Sequence, residues 1–412
     1  MEPIKMRYMT TQREKMSPMV RAYWAELDQA AEIGQPVVYC LGMVPQEVFR
    51  AIGATVFFGE NFGSGCAVAR VSEELCDITE SRGFPVELCS YIRTHIGAMI
   101  TGRNPMGKTL PKPDMVAYCN SRCTAYAGWG KAIQELFPGI PAFAIDVPPM
   151  RDDLSRDEYS QASAHVQRQI EEIIGFVDGW RGHRFDSARF EEAIDNTGKG
   201  GRAFVQFQNT LRTRPAPISL IDIFIQLFPI VCLKGRPEVA EYYTAAKAEV
   251  DQRIAEGFSA VPEEKFRIYW DGIAIWTRLK TQFEQLARHN AALVASVYAF
   301  NMADSVTHYD PARPVESIAD GLLNGFTNRG LQAKIDYVSR MVTDFEADGI
   351  IMQVSRSCKP YFLDEFAVMK EVLKRTGVPF CEVHGDMADP RLYSEKEIED
   401  RIDAFLTRLA AG

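Results

Sequence analysis

The sequence predicts an α/β protein with two Rossmann-like parallel-sheet domains and a helical middle region. Three observations lead there. Up to about residue 150, short apolar runs alternate with helix-length segments, a pattern that argues for strands joined by helical crossovers and so for a parallel sheet. From about Ser155 to Gly257, apolar residues recur only at helical spacing. Alternation then resumes to the end of the chain. The implied boundaries are 1–154 for an N-terminal α/β domain, 155–260 for the helical region and 261–412 for a C-terminal α/β domain.

In order, Val37-Val38-Tyr39-Cys40-Leu41 reads as a strand, Pro45 to Ile52 as a helix and Ala54 to Phe58 as a second strand. Helices are expected around Glu73 to Ser81 and from Pro85 to Thr101, followed by a strand at Met115. A helix from Trp129 to Leu136 and a strand from Pro141 to Asp146 close the first part. In the middle region, Ile170, Ile173, Ile174 and Val177 mark one helical face and Tyr242, Ala245, Ala246 and Val250 another, with Pro215-Ala216-Pro217 as punctuation. The last third reads as a strand at Phe266 to Trp270, a helix from Arg278 to His289 and a strand from Leu293 to Tyr298. After a long loop come a helix from Lys334 to Phe345, a strand at Ile350, a helix from Phe362 to Arg375, a strand at Phe380 and a helix from Glu395 to Leu409. Gly377 is a helix stop.

Composition narrows the class. At 412 residues with 46% hydrophobic and 25% charged residues, the chain is that of an ordinary globular protein of more than one domain. Its net charge of −9 gives no overall attraction to nucleic acid or anionic membrane. Met1-Glu2-Pro3-Ile4-Lys5 lacks the apolar core of a signal peptide. The most apolar stretch, Leu220 to Leu233, carries Asp222, Gln226 and Pro229 and is too short to span a bilayer. A cytoplasmic protein is expected.

Nine cysteines in a reducing compartment argue against a disulfide framework. Cys40 and Cys381 fall within predicted strands, Cys76 and Cys232 in apolar helical settings, and all four read as small buried hydrophobes. Cys66 reads either way. Cys123 and Cys358 differ: each stands just past an apolar strand-like run, Asp114 to Tyr118 and Gly349 to Val354, with a helical pattern behind it. Ligands collect at the carboxyl ends of parallel strands, so these two are candidates to converge on one metal site. Cys89 lies in a helix-like segment before the Met115 strand. Cys119 and Cys123 form a C-x₃-C pair that suits zinc or an iron–sulfur centre. Zinc usually takes a second close pair, which is absent, whereas three soft thiolates suit a cluster with one iron left open. The chain has no Gly-x-Gly-x-x-Gly after a strand, no phosphate loop, no His-Glu-x-x-His and no Gly-x-Ser-x-Gly.

Several blocks, in order and across nearly the whole chain, resemble one family. They are Val44-Pro45-Gln46-Glu47, Phe58-Gly59-Glu60-Asn61, Glu74 to Ser81, Leu88-Cys89-Ser90-Tyr91-Ile92-Arg93-Thr94 and Cys119-Asn120-Ser121-Arg122-Cys123. Glu264-Lys265-Phe266-Arg267-Ile268, Arg356-Ser357-Cys358-Lys359 and Gly385 to Arg391 complete the set. Together they look like the 2-hydroxyacyl-CoA dehydratase and benzoyl-CoA reductase family (2-hydroxyglutaryl-CoA dehydratase D-component-like), most like the larger dehydratase subunit. The resemblance implies that Cys89, Cys123 and Cys358 hold a [4Fe-4S] cluster, with Cys119 a packed strand-end residue. It implies an open iron that polarises a thioester carbonyl, and one electron from an ATP-dependent iron–sulfur activator protein, giving a ketyl radical that expels the 2-hydroxyl. An acyl-CoA substrate and a smaller homologous subunit in a heterodimer also follow from it.

By the same resemblance Glu60 matches an acidic residue near the cluster, with acid/base work as its role; its bland reading is a solvated turn glutamate or a cap. His95 stands where these dehydratases tend to have asparagine, and reads either as a proton shuttle or as a structural histidine. Gly42 stands where they often have serine. Glu47, in a first helical turn, reads as structural. The expected activity is radical dehydration of an (R)-2-hydroxyacyl-CoA to a 2-enoyl-CoA. A subunit of a ring-reducing benzoyl-CoA reductase-type complex is the alternative within the family, and a non-catalytic zinc-binding or scaffold protein is the alternative of another class.

Overall fold

A computed structural model describes residues 4–30, 32–121 and 123–411. Residues 1–3 of the N-terminal reading, Ala31, Arg122 of the C-x₃-C block and Gly412 lie outside the described residues. Eight strands are present among them: β1 (Val37–Leu41), β2 (Thr55–Phe58), β3 (Met115–Cys119), β4 (Ala142–Ile145), β5 (Phe266–Asp271), β6 (Ala291–Ala295), β7 (Gly349–Ser355) and β8 (Phe380–Gly385). They form two four-stranded sheets, ordered β2-β1-β3-β4 and β6-β5-β7-β8, with every pair parallel. Long helices fill the stretch between, including Arg156–Val177, Ser187–Gln208 and Glu238–Ala255. This is the predicted α/β class. Helices on both faces bury the sheets, so the inner strand β1 and even the edge strand β6 are apolar and buried at every position.

The two sheets repeat one topology. In each, the first strand is central, the second lies on one side, and the chain crosses over to place the third on the other side. That reversal opens a crevice at the carboxyl ends of the first and third strands. In the first sheet it lies between β1 and β3, and in the second between β5 and β7.

The structure corrects four expected elements, the first being the long loop before Lys334, which instead carries the helix Pro314–Leu323. The helix expected from Pro85 runs only from Ser90 to Thr101, and Cys89 is its N-cap residue rather than an interior one. Pro85 follows a turn at Gly83, which has φ +93°, and the chain stays irregular until Ser90. The strand expected to reach Tyr298 stops at Ala295. There the Ser296 hydroxyl accepts the Tyr298 N–H and starts the helix Val297–Asp304. Lastly, Glu60 lies in the first turn of a helix, Gly59–Val68, where a turn was expected. Three glycines in that helix depress its propensity, while Gly63 lets the backbone of Tyr91 approach to within 2.9 Å of where a Cβ would stand.

Among the described residues two arginines are fully buried, and each joins regions. Arg267 of β5 donates to the carbonyls of Leu211, Thr213 and Phe345 and pairs with Glu264, tying the helical middle to the second sheet. Arg93 pairs with Glu80 and, at 2.7 Å, with Asp389, joining the first half to the second. No helix among the described residues is long and apolar enough to cross a membrane.

A buried charge stripped of its partner costs far more than a pair removed together. Asp389→Ala should therefore lose about 3–5 kcal/mol in chemical unfolding. Arg93→Met combined with Asp389→Leu should lose less than that single change. Purely additive losses would show that the two side chains do not act as a unit.

Candidate active site between the two sheets

A cavity of about 200 Å³ lies where the carboxyl ends of both sheets meet. Gly42 after β1, Glu60 after β2 and Cys123 after β3 line it from one side; Trp276 after β5, Tyr298 after β6 and Cys358 after β7 line it from the other. Leu227, Ile230 and Lys234 of the helical middle form a further wall. The third strand of each sheet thus contributes a cysteine and the second an ionisable oxygen.

Cys89, Cys123 and Cys358 all line this cavity, and each stands at the start of a helix. Backbone N–H groups of Ile92 and Tyr91 reach the Cys89 sulfur, that of Ala125 reaches Cys123, and that of Tyr361 reaches Cys358. Burial pushes all three thiols up, and the thiolates of Cys89 and Cys123 push Cys358 up further. The three sulfurs therefore sit in one another's field. As bare thiols they favour the proton, and a cation placed among them would displace it. No three His, Cys, Asp or Glu side chains among the described residues gather to hold a single metal ion. Three free thiols from three segments, spread around a cavity and each supplied with N–H donors, suit a multi-iron cluster better than one tetrahedral ion. The donor set fits an iron–sulfur cluster.

Glu60 is half-buried on the cavity wall. Its Oε1 accepts the Gly42 N–H at 2.6 Å, and the Tyr126 hydroxyl also hydrogen-bonds it.

The family model for 2-hydroxyglutaryl-CoA dehydratase, D-component, matches residues 41–409. The chain belongs to this family. The (R)-2-hydroxyisocaproyl-CoA dehydratase alpha subunit of Clostridioides difficile is 28% identical to it over 96% of this chain and 95% of that protein. The (R)-phenyllactyl-CoA dehydratase alpha subunit of Clostridium sporogenes is 27% identical over 92% and 90%. A benzoyl-CoA reductase subunit of Thauera aromatica is 26% identical over 79% and 77%.

The remaining predicted positions take different places. Cys119 ends β3 in the core, where its S–H meets the Ser121 hydroxyl at 3.3 Å, and it does not line the cavity. His95 is also outside the lining. It is fully buried among the rings of Tyr39, Phe57, Phe62 and Trp129, and its Nδ1 accepts the Trp129 indole N–H at 3.1 Å. Burial lowers its pKa to about 3, so the ring is neutral; its partner Trp129 lines the cavity. Glu47 is buried and accepts the Thr197 hydroxyl, a structural contact with the helical middle.

The sequence did not single out Tyr91, Tyr126, Trp276, Tyr298 or Lys234, all of which line the cavity. Tyr126 had a signal, standing one helical turn beyond Cys123. Tyr298 was hidden by the strand expected through it.

Gly42 has φ +72°, and a Cβ there would meet the Cys119 carbonyl oxygen at 2.9 Å and the Tyr126 ring at 3.0 Å. The left-handed turn aims its N–H at Glu60, so the missing hydroxyl is linked to a backbone donor that only glycine presents without strain. Gly42→Ser should accordingly cost about 1–2 kcal/mol from the left-handed backbone, read as a lowered thermal midpoint. Unchanged stability would show that the turn tolerates a side chain.

Proposed function

We propose that this chain is the iron–sulfur subunit of a radical 2-hydroxyacyl-CoA dehydratase, eliminating water from an (R)-2-hydroxyacyl-CoA to give a 2-enoyl-CoA after one-electron activation. The observation that carries the reading is the meeting of Cys89, Cys123, Cys358 and Glu60 on one largely apolar cavity between two parallel sheets. Cys89, Cys123 and Cys358 would hold a [4Fe-4S] cluster, which when bound supplies Lewis-acid and one-electron chemistry. The electron would come from an ATP-dependent iron–sulfur activator protein, and a smaller homologous subunit would complete a heterodimer.

The chain's own side chains have separable tasks. Phe58, Trp129, Trp276 and Leu227 give the cavity apolar walls that exclude water and strengthen every charge interaction inside it. The Gly42 N–H and the Tyr126 hydroxyl both hydrogen-bond the Glu60 carboxyl group and hold it on the cavity wall. In the overall reaction the 2-hydroxyl departs with one proton as water, the 3-proton is taken up by a base, and the activating electron is returned. Glu60 is the base this geometry offers. A ring-reducing benzoyl-CoA reductase-type subunit is the second reading, favoured by the likeness to the Thauera aromatica reductase chain and by the lack of a side-chain hydroxyl at Gly42. Turnover of a panel of 2-hydroxyacyl-CoA and aryl-CoA thioesters, with partner, activator and ATP, separates the two.

Serine oxygen is a poor ligand for cluster iron. Cys358→Ser is expected to lower iron content and abolish activity. Cys381→Ser, at a buried β8 position outside the cavity, should do neither; equal iron loss in both would remove the assignment. Glu60→Gln should keep iron and thioester binding while turnover drops about 10²–10⁴-fold. Near-normal turnover would take Glu60 out of the mechanism.

A further inference from the structure

Glu60 has a counterpart in the second sheet. It lies in the first turn of the helix that follows β2; Tyr298 lies in the first turn of the helix that follows β6, and both side chains line the cavity. The two sheets share one topology, so these positions correspond. One carries a carboxylate and the other a phenol.

The direction of that phenol's O–H is fixed from behind. The Trp276 indole N–H donates to the Tyr91 hydroxyl. An indole N–H can only donate, so the Tyr91 oxygen is the acceptor and its own O–H must look elsewhere. Tyr91 and Tyr298 are hydrogen-bonded to each other, which gives the Tyr91 proton its place on the Tyr298 oxygen. Tyr298 thus accepts from the wall, and its own O–H is left to donate into the cavity. The ionisable groups whose charges reach it are Tyr361 first, then Glu60 and Cys358 across the cavity. Edge-on contacts with Phe224 (6.1 Å) and Tyr361 (5.9 Å) hold the ring in place. Burial raises the phenol above its ordinary range, so it stays a donor at any working pH.

We propose that Tyr298 is a second catalytic side chain of this site, a hydrogen-bond donor to an oxygen of the bound thioester on the side opposite Glu60, with Tyr91 and Trp276 as its positioning residues. The identity of that oxygen as the departing 2-hydroxyl rests on the dehydratase reading; the donation itself does not. Tyr298 makes and breaks no covalent bond in this role. It stabilises negative charge as it gathers on oxygen, the task for which a preorganised donor in a water-poor site is suited.

The test uses iron-loaded protein with its partner and compares wild type, Tyr298→Phe and Tyr91→Phe. Two quantities are read: kcat against KM on a 2-hydroxyacyl-CoA, and calorimetric Kd values for that compound and for the acyl-CoA lacking the 2-hydroxyl. Tyr298→Phe keeps the ring and should lose about 10²-fold in kcat with a smaller rise in KM, weakening binding of the hydroxylated thioester more than the other. Equal weakening of both would support donation to the thioester carbonyl instead. Tyr91→Phe leaves Tyr298 in place and should lose about 3–10-fold in kcat, the worth of one neutral hydrogen bond; this arm also decides the matter should Tyr298→Phe fail to fold. If wild type binds thioesters but dehydrates none, the dehydratase reading fails and the Kd comparison alone decides on Tyr298. Unchanged kcat and both Kd values in folded Tyr298→Phe, or wild-type behaviour of Tyr91→Phe, would overturn the proposal.

Discussion

One buried carboxylate, Asp386, holds the site together. Its Oδ2 accepts the Ser357 hydroxyl at 2.5 Å and the Ser357 N–H at 3.1 Å, and the Ser357 oxygen in turn accepts the Ser90 N–H at 3.1 Å. Ser90 follows Cys89 and Ser357 precedes Cys358, so a two-step hydrogen-bond path locks cysteine-bearing segments from opposite halves of the chain. Asp386 Oδ1 accepts the N–H groups of Ala388 and Asp389, shaping the turn that delivers Asp389 to Arg93. Hydrogen bonds to an ionised group contribute about 1.5–3 kcal/mol each. The turn works beside other ties between the halves, among them the Trp276–Tyr91 hydrogen bond and the helical middle that packs on both.

The electrostatics of the cavity follow from that closure. Burial raises the thiols of Cys89, Cys123 and Cys358 and the phenol of Tyr298, while backbone N–H groups at three helix starts oppose it at the cysteines. The result is a water-poor space in which thiols are ready to exchange protons for a cation, and a carboxylate and a phenol face it from matching places in the two sheets. All of these but Cys89, which caps a helix, stand at the carboxyl end of a strand, where a parallel sheet leaves its crevice.

Much of this was legible in the sequence. The apolar runs at Val37, Met115, Phe266 and Ile350 are inner strands, and buried strands advertise themselves because both faces must be apolar. Cys123 and Cys358 were readable from their places after such runs. Cys89 was located by resemblance, but its setting was misread, because the irregular chain from Pro85 to Leu88 carries residues that suit a helix. The helix at Gly59 was missed because its glycines serve close packing against propensity. Tyr298 was masked by a strand-like run that Ser296 interrupts with a single cap. His95 looked functional by position, while its four aromatic neighbours come from β1, β2 and two helices and could not be gathered from sequence. The block from Gly385 to Arg391, marked only by resemblance, proves to be the turn that joins the halves.

The central claim is that Cys89 and Cys358, tied through the Asp386 turn, form with Cys123 after β3 the proposed seat of one cluster. Iron and acid-labile sulfide, measured per chain on anaerobically purified protein with and without Asp386→Ala, test it most directly. The account predicts about four of each in a brown, oxygen-sensitive protein, as a cubane cluster requires, and a clear loss of both in the folded variant. Colourless protein carrying zinc, or iron and sulfide unchanged by Asp386→Ala, would contradict it.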